Sequence, residues 1–107
     1  MLALTGPDVL VAYERSGGFA GIQRKVIVDG SGTALVNDES VALGADEMRG
    51  LKDALSRVVT TASSSDGCQV ADHFTYTLTY RGHRATRCWL PSDWRDAVDR
   101  LEALTGR

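Results

Sequence analysis

Regular alternation of apolar and polar side chains marks the clearest β-strand in the sequence. Residues 74–80 place Thr at every second position between Phe, Tyr and Leu, which is typical of a strand with one buried face. Residues 22–29 also alternate, and residues 9–15 are rich in side chains that favour strands. We therefore predict strands at 9–15, 22–29, 74–80 and 83–90, and a short strand at 33–36 would make five.

Turn signals join these strands into two antiparallel hairpins. A glycine-rich loop at 16–21 connects the first pair, and Arg81 with Gly82 connects the last pair. Folding the last hairpin about this turn predicts its register. The expected pairs are Tyr80 with His83, Leu78 with Ala85, Tyr76 with Arg87 and Phe74 with Trp89. The other face then carries Thr75, Thr77 and Thr79 beside Cys88, Thr86 and Arg84.

Two further segments repeat apolar residues every three or four positions, which predicts helices at 45–58 and 93–104. The buried faces would carry Met48, Leu51, Leu55 and Val58 in the first helix, and Trp94, Ala97, Val98, Leu101 and Leu104 in the second. Residues 37–40 are predicted as a polar loop. This order of elements favours an α+β fold, a two-layer sandwich whose antiparallel sheet of four or five strands is covered on one face by two helices. We expect one domain over 1–107, with residues 1–8 only loosely held.

Composition narrows the class of protein without identifying it. The 107 residues are 43% hydrophobic and carry a net charge of −2, which is typical of a globular domain and argues against broad binding of polyanions. The N-terminal residues do not resemble a signal peptide, and no apolar run approaches the roughly 18 residues that span a bilayer. We therefore expect a cytoplasmic protein without a membrane partner, in which Cys68 and Cys88 are free thiols.

The side chains that could support chemistry are scattered. Cys68, His73, His83 and Cys88 follow one another at gaps of five, ten and five residues, unlike the close spacing of zinc motifs. We therefore expect no metal site and no cofactor. Because no catalytic motif is present, we expect no enzyme, although Cys88 with either histidine remains the weakest of the alternatives.

A basic and aromatic cluster in the second hairpin gives one alternative function. Arginines 81, 84 and 87 and His83 lie close in sequence to Tyr76, Tyr80 and Trp89. A sheet face with such side chains can stack bases or contact another protein. The alternative is therefore a protein-interaction or nucleic-acid-binding module, although nearby acidic residues would offset the positive charge, which argues against nucleic acid as the partner.

The glycine-rich loop is the most distinctive segment. Phe19 is a large apolar residue among residues with almost no side chain, and the glycines predict backbone positions with positive φ. Small neighbours would allow another protein to approach while Phe19 enters a pocket. The opposite interpretation, in which Phe19 folds back into the core, is equally compatible with the sequence.

Two motifs resemble the signatures of the emfourin family, protein inhibitors of protealysin and related thermolysin-like metallopeptidases. The first is YERSGGFAG at residues 13–21, and the second is DHFTYTLT at residues 72–79, where an acidic residue precedes F-x-Y-x-L. A closing helix at 93–104 also matches the family. The segment 30–43 is longer than the corresponding link in the family, and Cys68 with its serine-rich neighbours is not a family feature.

The resemblance implies a non-enzymatic inhibitor whose hairpin loop lies in the active-site cleft of a thermolysin-like zinc peptidase. Backbone groups of the loop would pair with the enzyme, and Phe19 would occupy its apolar pocket. In a variant of this mechanism, Cys68 or Asp66 would reach the enzyme's zinc ion. The expected protein-binding residues are Arg15, Ser16, Gly17, Gly18, Phe19, Ala20 and Gly21.

Overall fold

The structure, a computed structural model, describes residues 9–18, 22–60, 63, 68–69 and 73–105. Six strands and two helices lie within these residues. The strands are β1 Val9–Gly17, β2 Ile22–Asp29, β3 Thr33–Val36, β4 Glu39–Ala42, β5 Phe74–Tyr80 and β6 His83–Arg87, and the helices are α1 Ala45–Leu55 and α2 Arg95–Leu104.

The six strands form one antiparallel sheet in the order β4-β3-β2-β1-β5-β6. The predicted α+β class is therefore confirmed. The predicted number of strands was wrong, because the described residues form six strands rather than four or five. β1 pairs with β2 on one side and with β5 on the other, so it lies in the middle of the sheet.

The missed strand, β4, lies at the edge of the sheet and was predicted in part as polar loop. Only Val41 of its four residues is partly buried, so the segment lacks an alternating pattern. The turn before it is formed by Asn37 and Asp38, which both have positive φ, at 48° and 73°. Such a two-residue turn suits a tight hairpin. The long segment 30–43 thus contains an additional β3–β4 hairpin at the sheet edge.

One face of the sheet packs against both helices. Val11 and Tyr13 of β1, Val26 and Val28 of β2, and Leu78 of β5 are buried there. The predicted helical stripes are buried as well, except that α1 ends at Leu55 and leaves Val58 beyond it. α1 therefore stops three residues before the predicted end.

Trp94, which directly precedes α2, packs the start of this helix into the core. Its side chain is fully buried, and its indole nitrogen Nε1 donates a hydrogen bond to the carbonyl oxygen of Val59 at 2.9 Å. The guanidinium of Arg87 lies 5.9 Å from the centre of the Trp94 ring. A buried tryptophan that keeps its one polar atom paired contributes apolar area without an unsatisfied donor.

The predicted register of the β5–β6 hairpin is confirmed for three of the four pairs, from Tyr80 with His83 to Tyr76 with Arg87. The fourth, Phe74 with Trp89, lies beyond the end of β6. Within the described part of the chain, neither helix has the length and apolar character that spanning a lipid bilayer requires.

The β2–β3 turn is organised by one carboxylate. Oδ1 of Asp29 accepts hydrogen bonds from the hydroxyl of Ser31 at 2.6 Å and from the backbone N–H groups of Ser31 and Thr33 at 2.9 and 3.1 Å. Hydrogen bonds to a carboxylate favour its charged form. The Ser31 hydroxyl, helped by these backbone donors, holds the pKa of the Asp29 carboxyl below its usual value.

This turn predicts a specific loss of stability in acid. Because the pKa of Asp29 is lower in the folded chain, its stabilising effect is present above the unfolded pKa of about 3.9 and is lost as pH falls. We expect Asp29→Asn to cost about 1 kcal/mol or less at pH 7 and to reduce the loss of stability between pH 6 and pH 3. Urea unfolding followed by circular dichroism measures both. Asp38→Asn, in the neighbouring turn, is the control, and an unchanged pH dependence in Asp29→Asn would contradict the assignment.

Candidate functional site

The predicted binding loop leaves the sheet from its central strand. Gly17, the last residue of β1, is paired with Ile22 of β2 and with Phe74 of β5. Of the seven predicted binding residues, Arg15, Ser16, Gly17 and Gly18 are described. Phe19, Ala20 and Gly21 lie outside the described residues.

Gly17 and Gly18 have conformations that other residues rarely adopt, with φ of 108° and 76°. A Cβ atom at Gly17 would lie 2.5 Å from the carbonyl oxygen of His73, and a Cβ atom at Gly18 would lie 2.9 Å from Cε1 of Phe74. The N–H of Gly18 donates a hydrogen bond to the same His73 carbonyl oxygen at 3.1 Å. The end of β1 is therefore fixed against the start of β5.

These contacts change the interpretation of the glycines. The sequence predicts that their small size allows a foreign surface to approach. For Gly17 and Gly18 the surface that approaches is the chain's own strand β5. The positive φ disfavours a side chain at both positions, and at Gly17 the His73 carbonyl also leaves no space for one. The positive φ values predicted for this loop are confirmed at these two positions.

Arg15 is held by the fold rather than displayed at the tip. Its Nε lies 3.3 Å from Oε2 of Glu102 in α2, its guanidinium lies 4.8 Å from the centre of the Phe74 ring, and its side chain is 22% exposed. Glu102 also accepts a hydrogen bond of 2.5 Å from the hydroxyl of Tyr13. Burial, and then the hydrogen bond to Glu102, raise the pKa of Tyr13 far above its usual value, so this hydroxyl remains a donor.

Ser16 lies on the opposite face of β1. It is half-buried and is paired with Gln23 of β2 and Thr75 of β5. The helices do not cover this open face. A shallow cavity of about 170 Å³ lies there beside Glu14, Lys25 and Arg84. Small-molecule sites are usually about 300 Å³ or larger, so this cavity is not a strong candidate for a ligand site.

A disulfide lies at the same end of the sheet as the loop. Cys68 and Cys88 are bonded to each other, with Cα atoms 5.0 Å apart. The expectation of two free thiols was therefore wrong. That prediction rested on the reducing conditions of the cytoplasm and did not consider the β5–β6 hairpin. The hairpin places Cys88 beside Thr75, with Sγ of Cys88 4.0 Å from the Thr75 hydroxyl oxygen.

The bonded sulfurs bear on two alternatives from the sequence. A sulfur in a disulfide is not a thiolate, so in this state Cys88 is no nucleophile and Cys68 is no ligand for an enzyme's zinc ion. Asp66, the other residue considered for that zinc, lies outside the described residues.

The hairpin also brings His73 to the disulfide. Ligand atoms of Cys68, His73 and Cys88 all lie within 4.8 Å of one another. Gaps along the sequence did not reveal this cluster, because it forms across two antiparallel strands. The useful signal was the predicted hairpin register, which places Cys88 opposite Thr75, two residues after His73. His83, which is exposed, lies at the other end of β5 and β6, beside the turn.

The basic and aromatic cluster of the second hairpin does not form one surface. Tyr76 and Tyr80 pack against the core, and Arg87 lies over Trp94. Arg84 lies on the open face with Thr79 as its partner. A platform for stacking bases needs aromatic rings on an exposed face. Trp89, which is 65% exposed and follows Cys88, is the exposed aromatic residue of this group.

No family model, no curated protein and no solved structure matches the chain in the three comparisons. The resemblance to the emfourin family therefore depends on the two sequence motifs. In the structure the first motif contains the end of β1, and the second contains most of β5. The end of β1 pairs with the start of β5.

The fixed glycine turn predicts a large difference between two Gly→Ala variants. We expect Gly17→Ala to lower the free energy of unfolding by about 2 kcal/mol or more, because its φ and the His73 carbonyl both exclude a methyl group. Gly30→Ala is the matched control, since a Cβ atom there meets nothing within 4 Å; it should change stability by no more than about 0.5 kcal/mol. Urea unfolding compares them, and equal effects would show that the close approach is absent.

The disulfide predicts a measurable contribution to stability. Its cysteines are 20 residues apart, and closing a loop of this size stabilises a folded chain by about 3 kcal/mol. We expect a variant with both cysteines changed to Ala to unfold at correspondingly lower urea concentration. Reductant should destabilise the natural chain and leave the double variant unchanged. Alkylation of the denatured but unreduced protein by iodoacetamide would contradict the crosslink.

Proposed function

We propose that the protein is a non-enzymatic inhibitor of a thermolysin-like zinc metallopeptidase, and that the glycine-rich loop at residues 16–21 enters the active-site cleft. The proposal starts from the two emfourin-like motifs. The observation that carries it further is the hydrogen bond from the N–H of Gly18 to the carbonyl of His73. This bond fixes the residue immediately before Phe19.

A loop that starts from fixed residues favours tight binding. Free energy is lost when a flexible segment becomes ordered on binding, and a segment that is already held loses less. Gly17 is held by β2 on one side and β5 on the other, so the loop begins from a rigid base. Arg15 supports this base through Glu102 and Phe74. We assign it a positioning role, and Phe19 the role of the anchor in the enzyme's pocket.

The same support at the base of the loop would protect the bound loop from cleavage. A peptidase hydrolyses a bound segment only when that segment can reach the geometry of the transition state. A loop whose first residues are bonded to two neighbouring strands opposes that change. The inhibitor would therefore occupy the cleft as a substrate does, and its loop would not be cleaved.

We propose the cytoplasm as the place of action, as the sequence predicts. Most cytoplasmic thiols are kept reduced, whereas disulfides persist in oxidising compartments. The state of Cys68 and Cys88 in the cell is therefore a test of this location. Trapping thiols with acid and alkylation at the moment of lysis measures it, and a fully oxidised pair would argue for another compartment.

The proposed function predicts the effect of removing the anchor. Against a purified thermolysin-like peptidase, we expect Phe19→Ala to raise the inhibition constant roughly 30-fold or more, because truncating an aromatic hot spot costs about 2 kcal/mol or more. Trp89→Ala is the matched control, since it removes another aromatic ring that is exposed. It should leave inhibition unchanged if the loop alone enters the cleft.

Two results would count against the proposal in different ways. Equal inhibition by Phe19→Ala and the natural chain would remove the role of Phe19 and leave the inhibitor class intact. No inhibition of any thermolysin-like peptidase by the natural chain would exclude the class itself. Circular dichroism of each variant confirms that the fold is retained.

A further inference from the structure

Cys68, His73 and Cys88 form a cluster of metal-ligating side chains that the proposed inhibitory function does not use. One ligand atom from each, two sulfurs and an imidazole nitrogen, lies within 4.8 Å of the other two. Three separate parts of the chain contribute. His73 directly precedes β5, Cys88 directly follows β6, and Cys68 is joined to Cys88 by the disulfide.

The three ligand atoms are near enough to share one zinc ion once the S–S bond is broken. With Zn–S and Zn–N bonds of about 2.3 and 2.0 Å, the ligand atoms around a tetrahedral zinc ion are roughly 3.4–3.8 Å apart. In the oxidised chain the two sulfurs are bonded and therefore closer than this, while all three ligand atoms lie within 4.8 Å of one another. The Cα atoms of the two cysteines are 5.0 Å apart, and rotation about the Cα–Cβ bonds of the reduced cysteines can bring the sulfurs to the separation that zinc requires.

The ligand types and their surroundings favour zinc over other common ions. Thiolate and imidazole ligands bind zinc well, while magnesium and calcium prefer oxygen ligands. Cys88 is buried, and Cys68 and His73 are partly buried. Removal from water strengthens the attraction between thiolates and a divalent cation.

We propose that the reduced form of this protein binds one Zn²⁺ ion through the Sγ atoms of Cys68 and Cys88 and an imidazole nitrogen of His73, with water as the fourth ligand. A dithiol reductant supplies two electrons and two protons, so the disulfide becomes two thiols and the reductant becomes a cyclic disulfide. Zn²⁺ then displaces both thiol protons, which pass to solvent. The metal replaces the covalent link between residue 68 and the sheet.

This inference does not depend on the proposed function, since it concerns the state of the crosslink rather than the glycine-rich loop at 16–21. The two are neighbours in the fold, because the carbonyl of His73 accepts the hydrogen bond from Gly18. Failure of zinc binding would leave inhibition untouched. Failure of inhibition would equally leave the metal site untouched.

Native mass spectrometry with added ZnCl₂ tests the proposal directly. After reduction with a phosphine, which does not compete strongly for zinc, we expect one zinc ion per chain and none on the oxidised chain. Co²⁺ in place of Zn²⁺ should give the strong visible absorption of a tetrahedral site and thiolate charge-transfer bands. Zinc binding by the oxidised chain with equal affinity would overturn the proposal, because its sulfurs are then not ligands.

The decisive variant is His73→Ala, which keeps the disulfide and can be purified folded before reduction. We expect its zinc affinity, measured by competition with a chromophoric chelator, to fall at least about 100-fold, since losing even a hydrogen-bond partner of a ligand costs roughly 10–100-fold. His83→Ala removes the other histidine, at the far end of the hairpin, and should bind as the natural chain does. Equal binding by both variants would contradict the site.

Circular dichroism distinguishes loss of the site from loss of the fold. If the reduced chain is folded without metal, zinc should bind with little change in the spectrum. If it is partly unfolded, zinc should restore the spectrum of the oxidised chain, because binding energy then contributes to folding. A reduced chain that stays unfolded in the presence of excess zinc, or that is folded and binds no zinc, would overturn the proposal.

Discussion

The backbone of β1 approaches the start of β5 so closely at Gly17 that no side chain fits between them. This contact fixes the first residues of the glycine-rich loop, and it does so in the middle of the sheet, where strands on both sides give support. It also places the loop beside His73, and through His73 beside the disulfide. The candidate inhibitory loop and the candidate zinc ligands are thus parts of one end of the sheet.

Polar contacts hold the helical layer to this same strand. Glu102 of α2 receives a hydrogen bond from Tyr13 and pairs with Arg15, two residues that lie on the helix-covered face of β1. A partly buried carboxylate with two partners avoids the cost of an unpaired charge. β1 therefore pairs with strands on both sides, contacts α2 through Glu102, and ends where the loop begins. A substitution in β1 that alters the core is expected to alter the loop as well.

The sequence predicts those elements in which one buried face produces a regular pattern of apolar residues. Alternating Thr in β5 and the three- and four-residue spacing in α2 predicted these elements and their buried faces, because each pattern follows from one face meeting the core. The turn at Arg81 and Gly82 predicted the register of the β5–β6 hairpin. β4 has three exposed residues, so burial left no pattern there. For the site, positive φ was predictable from Gly17 and Gly18. The approach of His73 was not, because it depends on which strand lies beside β1. The disulfide was not, because Cys68 belongs to no strand whose register could be predicted.

The two tryptophans stand in opposite surroundings. Trp94 is fully buried with its indole N–H bonded to Val59, whereas Trp89 is 65% exposed and adjacent in the chain to a disulfide sulfur. Because exposure to water shifts indole emission to longer wavelength, the buried Trp94 is expected to emit at shorter wavelength than the exposed Trp89. The two rings therefore offer separate optical signals, one from the core beneath α2 and one from the end of the β5–β6 hairpin.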